Sequence, residues 1–207
     1  MMRLVATMTA ALAATQLTVG CAALSSQPDL TRYYVLRPIA VPQPISVGFD
    51  RSVGVGPVTV PDHLEDQLVT RLADEEVAIS DTERWSEPLH DAVSGVLRQN
   101  LVLLLGTQRV KFYPWDPKAA PDLAVTLELM QFERTTRGTV DVKARWSIEQ
   151  GSNRTPLLMN ETSLSQIMPG TDSRAAVAAL SAALNNLSQQ IAMDVRRAPL
   201  GNVSLGR

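Results

Sequence analysis

Reactive chemistry in a small protein needs a nucleophile, a base or a metal-binding cluster, and this chain has few residues of those types. Its histidines are His63 and His90, and its one cysteine is Cys21. Neither histidine stands in an HExxH or HxH setting, and a lone thiol supplies neither an intramolecular disulfide nor a multi-cysteine metal site. There is no GxSxG elbow, no phosphate loop and no GxGxxG; "GVGP" at 54–57 reads as a strand broken by glycine. A Ser-His-Asp triad needs one of the two histidines as base, and neither local context supplies the partners. Asp74, Glu75 and Glu76 fit a solvated turn, while carboxylates meeting across a cleft are left open by sequence. No cofactor and no metal are expected.

Cys21 is informative through its position. Arg3 is the only charge before it, and residues 4–19 are apolar with interspersed Thr and Gln. A basic start followed by a short apolar run is the layout of an export signal. The run is too short and too interrupted for a membrane span, which needs ~20 apolar residues. It ends in Thr18-Val19-Gly20-Cys21, which resembles the bacterial lipobox, with Thr18 where leucine is commonest. That resemblance implies a diacylglycerol on the Cys21 sulfur, cleavage before Cys21, and acylation of the new amino terminus. Each buried methylene contributes about 0.8 kcal/mol, and stable anchoring takes two or more chains, which a lipidated Cys21 would carry. Ala22 follows instead of aspartate, which by the same resemblance implies the inner leaflet of the outer membrane. The plainer alternative is an ordinary export signal that ends near a free thiol.

The rest of the chain must fold a domain. With 207 residues, 45% hydrophobic and 19% charged, it can bury a core as one domain with appendages. A formal charge of -2 and 4% aromatics argue against a nucleic-acid partner. Four parts are expected: a lipoprotein signal at 1–20, a small, polar tether at 21–31, a domain at 32–197 and a flexible tail at 198–207.

Within the domain, "RYYVL" (32–36), 52–61, "DQLVTRL" (66–72) and "EVAIS" (76–80) read as short strands, the second broken at Gly56-Pro57. Three prolines make 37–44 an extended connector. Ser86 is placed to cap a helix whose apolar face is Leu89, Val93, Val96, Leu97, Leu101 and Leu104, with Gly106 as its stop. "QRVKFYPW" (108–115) reads as another strand. From 139 to 148, Val140, Val142, Ala144, Trp146 and Ile148 alternate with polar residues, as in a sheet solvated on one face. With 123–133 before it and 155–167 after it, this segment predicts a three-stranded meander. A last helix starts near Asp172, with Val177, Leu180, Leu184, Leu187, Ile191 and Val195 in one stripe. The fold class is therefore α+β: an antiparallel sheet, a mixed one being left open, with two main helices on one face. Among the aromatics, Trp85, Tyr113 and Trp115 are candidates for a partner surface, core or rim packing being the simpler reading.

These pieces together point to a family. The lipobox, then "YYVLRP", "VGVGPVTVPDHLEDQLVTR", "RWSEPLHDAVSGVLRQNL", "RVKFYPW" and "VKARWSI" resemble the PqiC-type ABC-transport auxiliary lipoproteins, from about Tyr33 to Arg197. The resemblance implies a non-enzymatic companion of an MCE-domain system that carries lipid between the membranes of a Gram-negative envelope and maintains membrane integrity. It implies anchoring at the outer membrane on the periplasmic side, with a PqiB-like MCE-domain subunit as partner. Only Cys21 carries over as a defined chemical position, and homo-oligomerisation is left open. Two other readings stand beside it: a soluble-domain lipid carrier, which needs an apolar cavity, and an envelope hydrolase, which needs His63 or His90 paired in a cleft. Mass spectrometry of the mature polypeptide should find Cys21 first in the chain with acyl groups attached; a bare thiol or a retained leader contradicts this.

Overall fold

A computed structural model describes residues 28–40 and 49–199 of the chain. The expected signal, Cys21, most of the tether, the second half of the Pro-rich connector and residues 200–207 of the tail lie outside the described residues. The regular elements are β1 (Arg32–Tyr34), β2 (Val53–Thr59), β3 (Gln67–Ala73), β4 (Glu76–Trp85), α1 (Leu89–Leu105), β5 (Val110–Phe112), β6 (Leu123–Thr135), β7 (Thr139–Gln150), β8 (Pro156–Ile167) and α2 (Ser173–Arg197). All of these elements belong to one compact unit that begins at Thr31.

β6 is paired along both edges. On one side it runs antiparallel to β7, which runs antiparallel to β8, giving the expected meander. On the other side β2 lies parallel to its first half, Val53 opposite Leu123, and β3 lies parallel to its end, Thr70 opposite Arg134. The two strands thus follow one another along a single edge of β6, joined through a 3-10 turn at Asp62–Leu64. β5 extends the sheet in parallel beyond β2, and β4 and then β1 extend it beyond β3. The eight-stranded sheet is therefore mixed, and the fold is α+β.

Alternation decides which face is covered. Val140, Val142, Ala144, Trp146 and Ile148 are at most 3% exposed and lie under α2, whose own stripe from Val177 to Val195 is buried against the sheet. Burying each large aliphatic side chain of that stripe contributes about 1.5–3 kcal/mol. The opposite face of the meander is solvated and laced by ion pairs, Arg145 to Glu161 at 3.0 Å and to Glu128 at 3.4 Å. The Arg145 hydrogen bond holds the Glu161 carboxyl below its usual range. In β6 the register shifts between Leu129 and Gln131, so Phe132 is buried where simple alternation would have buried Gln131.

Several boundaries differ from the sequence reading. β4 continues to Trp85, and β5 covers only 110–112. Ser86 is not the cap of α1. Its N–H donates to Tyr34 O in the sheet, and Glu65 caps the helix instead, accepting from Leu89 N through its carbonyl and from His90 N through its carboxylate. Pro88 sits at the N-cap, where its missing N–H costs nothing. Leu104 is only partly buried; Leu105 takes the fully buried place at that end. The expected stop of α1 and start of α2 hold: Gly106 adopts a left-handed φ of 67°, and Asp172 accepts from Ala175 N at 2.8 Å. Ala198, the first residue of the expected tail, is buried, and its carbonyl and that of Val195 accept from Arg51. That guanidinium meets the negative end of α2.

The starts of β2 and β6 are joined by a reciprocal clamp. Asp122 Oδ2 accepts from Ser52 N and Oγ at 2.6 and 2.7 Å, and Asp122 N donates to Ser52 Oγ at 2.9 Å. Burial pushes the Asp122 carboxyl up, but the two Ser52 bonds and the charges of Arg51 and Arg109 outweigh it and hold it below its ordinary value. A carboxyl lowered by folding contributes stability above its unfolded value, about 3.9, and that contribution is lost as pH falls through the folded value. Acid titration of unfolding should therefore be steeper below about pH 4 for the native chain than for Asp122→Asn; superimposable titration curves would rule the clamp out as the cause.

Candidate functional site

The strand β1 is the outermost of its side of the sheet, and among the described residues no strand pairs with its other edge, which faces α2. Between them lies a groove of about 1300 Å3, walled by β1 and the residues after it and by the N-terminal half of α2. The chain is held there by polar contacts with the helices. Arg37 N donates to Ser181 Oγ at 3.1 Å, and Ile39 N donates to Asn100 Oδ1 at 2.9 Å. Asn100, fully buried on α1, donates in turn to Asn185 Oδ1 and Ser188 Oγ on α2. A buried amide with these bonds met is stabilising, and one left unmet costs about 1–3 kcal/mol. The connector is thereby stitched across the seam of the two helices.

The groove is basic in a chain of net charge -2: four arginines line it against Glu83 and Asp172. Arg134 is committed to structure. It donates to Thr70 Oγ1 at 2.6 Å and Ser173 Oγ at 2.8 Å, and stands 3.6 Å from Glu83. Asp172 is occupied by its cap on α2. Arg32, Arg37 and Arg174 are exposed, with no carboxylate within ion-pairing distance among the described residues. Sequence reading missed this cluster. Its members lie far apart in the chain, and Arg134 reaches the helix side only because of the register shift in β6.

The aromatic candidates separate. Trp85 is 5% exposed and packs against Phe132, with ring centroids 6.1 Å apart. It belongs to the buried core and not to a partner surface. Tyr113 is half-exposed and meets Trp115 edge to face at 5.3 Å, and Arg154 stands 5.9 Å over the Trp115 ring. This ridge explains the glycines of "GVGP". A Cβ on Gly54 would lie 2.5 Å from the Trp115 ring, and one on Gly56, whose φ is 116°, would lie 2.8 Å from Tyr113 Cβ. Beside the ridge, Arg98 stacks on the exposed Phe112 ring at 4.6 Å.

The histidines are placed as follows. His63 is exposed in the 3-10 turn. His90 Nδ1 lies 2.8 Å from Glu65 Oε1 and its Nε2 lies 3.4 Å from Asp91 Oδ1, both on the chain's surface. Ser94 Oγ donates to the His90 carbonyl, so that hydroxyl is turned to the backbone and away from the ring. Among the described residues no three His, Cys, Asp or Glu side chains form a metal-binding group, and no helix is long and apolar enough to cross a membrane.

A family model for the ABC-type transport auxiliary lipoprotein component matches residues 34–192, from the end of β1 to the last turns of α2. Two solved structures share the fold. One is described as an uncharacterized protein, with TM-score 0.67 and 20% identity over 80% of this chain and 98% of that one. The other, from Xanthomonas campestris and placed in the family model DUF330, has TM-score 0.68 and 13% identity over 78% and 93%. At these identities the likeness is one of fold. No curated protein matches the chain.

The tight fit between ridge and strand has a measurable consequence. Gly54→Ala forces the Trp115 ring or Pro121 to move, and overpacking of this kind costs about 1–3 kcal/mol. Thermal unfolding should show that loss with the secondary structure intact, and Gly54→Ala combined with Trp115→Leu should recover part of it.

Proposed function

Given that the chain belongs to the family of ABC-type transport auxiliary lipoproteins, we propose that it is a lipid-anchored outer-membrane protein that docks the MCE-domain subunit of an intermembrane lipid transport system. The family match carries the auxiliary transport role. The finer assignment draws on the lipobox-like Thr18-Val19-Gly20-Cys21 and on Ala22 after it. In this reading the protein performs no catalysis. Acyl chains on Cys21 confine the domain to a thin layer beside the membrane, which raises its effective concentration for a partner that arrives there. The half-exposed Tyr113, held by Trp115, offers that partner an aromatic contact.

The two competing readings have less support from the geometry. A lipid carrier needs an enclosed apolar cavity, whereas the space under α1 and α2 is filled by a continuous cluster of buried side chains and the groove beside β1 is open and lined with arginine. A hydrolase needs a nucleophile at the histidine, and the Ser94 hydroxyl near His90 is bonded to a backbone carbonyl. Cross-linking in intact envelopes followed by pull-down should recover an MCE-domain protein with the lipidated chain. A Cys21→Ala protein that is exported and soluble should fail to restore envelope integrity in a deletion strain; full restoration would refute the anchoring mechanism.

A further inference from the structure

The open edge of β1 and the charge of the groove beside it point to one kind of occupant. β1 pairs with β4 in parallel, and Ser86 N donates to Tyr34 O. That register turns the backbone of Arg32 and Tyr34 toward β4, so Tyr33 and Val35 present their N–H and C=O groups to the groove. The next residue of the same parity, Arg37, already uses its outward N–H on Ser181. Tyr33 and Val35 are 66% and 59% exposed, and no described residue takes their outward backbone groups. Across the groove, α2 presents the exposed small side chains of Ala178 and Ala182, which leave room for a backbone to lie close.

An unpaired strand edge beside a shallow helical wall fits an extended peptide, bound through main-chain bonds and selected by its side chains. The side chains here that do the selecting are Arg32, Arg37 and Arg174, which have no carboxylate partner among the described residues, in a chain whose overall charge is negative. We propose that the groove takes an extended, acidic segment of the partner subunit as an added strand on β1, with its carboxylates on those three arginines. The inference rests on the docking role proposed above and gives it a surface. The main chain of Tyr33 and Val35 supplies register, and Arg174, in the first turn of α2, supplies charge.

The test places a photo-cross-linking residue, p-benzoylphenylalanine, at Tyr33 or Ala178 of the full-length lipidated protein in envelopes. The same probe at Tyr113 and at Ser163, on the open sheet face, serves for comparison. Adducts with the transport subunit are expected from positions 33 and 178, mapping by mass spectrometry to an acidic stretch, and none from 163. Arg37→Glu with Arg174→Glu should lower the yield on the order of tenfold without moving the melting temperature, while lysine at both positions retains most of it. Val35→Pro removes an outward N–H without changing charge and should lower the yield as well. Adducts with the subunit from 113 or 163 alone would overturn the groove and leave the docking role standing. Adducts from the groove positions to phospholipid, or to a peptide of the same chain, would overturn it too. If no position reacts and the pull-down also recovers no MCE-domain protein, the docking role and this inference fall together.

Discussion

A strand bonded along both edges cannot slip by a residue without breaking two ladders and turning its buried side chains to water, and β6 is held in that way. One edge sets the meander, whose apolar alternation supplies the floor for α2, while α1 packs over β2 and β5. The other edge is shared end to end by β2 and β3, and those two strands carry the outer parts of the sheet. β2 leads to β5 and the Tyr113–Trp115 ridge, and β3 leads to β4, β1 and the groove. The bulge after Leu129 has consequences for both. It returns Phe132 to the core beside Trp85 and directs Arg134 to the start of α2.

The helices are oriented by polar contacts as well as by their apolar stripes. Apolar packing is tolerant of rotation by part of a turn, whereas a buried polar group must meet a partner at one distance and angle. Asp194, 7% exposed, accepts from Trp146 Nε1 at 2.9 Å and Asn160 Nδ2 at 2.8 Å, which fixes α2 over β7 and β8. Asn100 fixes α1 against α2 and carries the bond to Ile39. The residues that shape one side of the groove are thus set by an amide buried behind them. Glu133, 1% exposed and paired with Arg71, joins β6 to β3 in the same manner.

The resulting body combines a well-determined interior with two uncommitted surfaces, a charged edge at β1 and an aromatic ridge at β5. Such a body suits an auxiliary part of a transport system, the role that the family carries. Confinement by an anchor acts on encounter, and charge acts on orientation and on rate of association.

Reading the sequence recovered whatever depends on local periodicity. The alternation from Val140 to Ile148 and the 3-4 spacing from Val177 to Val195 specify a half-buried strand and a one-sided helix, because side-chain direction repeats every two residues in one and every 3.6 in the other. Gly106 and Asp172 mark helix ends for equally local reasons, a left-handed φ and a side-chain acceptor. What only the tertiary structure decided depends on partners distant in sequence. Glu65 displaced Ser86 as the cap of α1 because the 3-10 turn brings it there, and Trp85 went inward because Phe132 lies across from it. The basic groove is the largest such case. Arg32, Arg134 and Arg174 come together only when parallel pairing, a bulge and a helix end converge, and no spacing along the chain records that convergence.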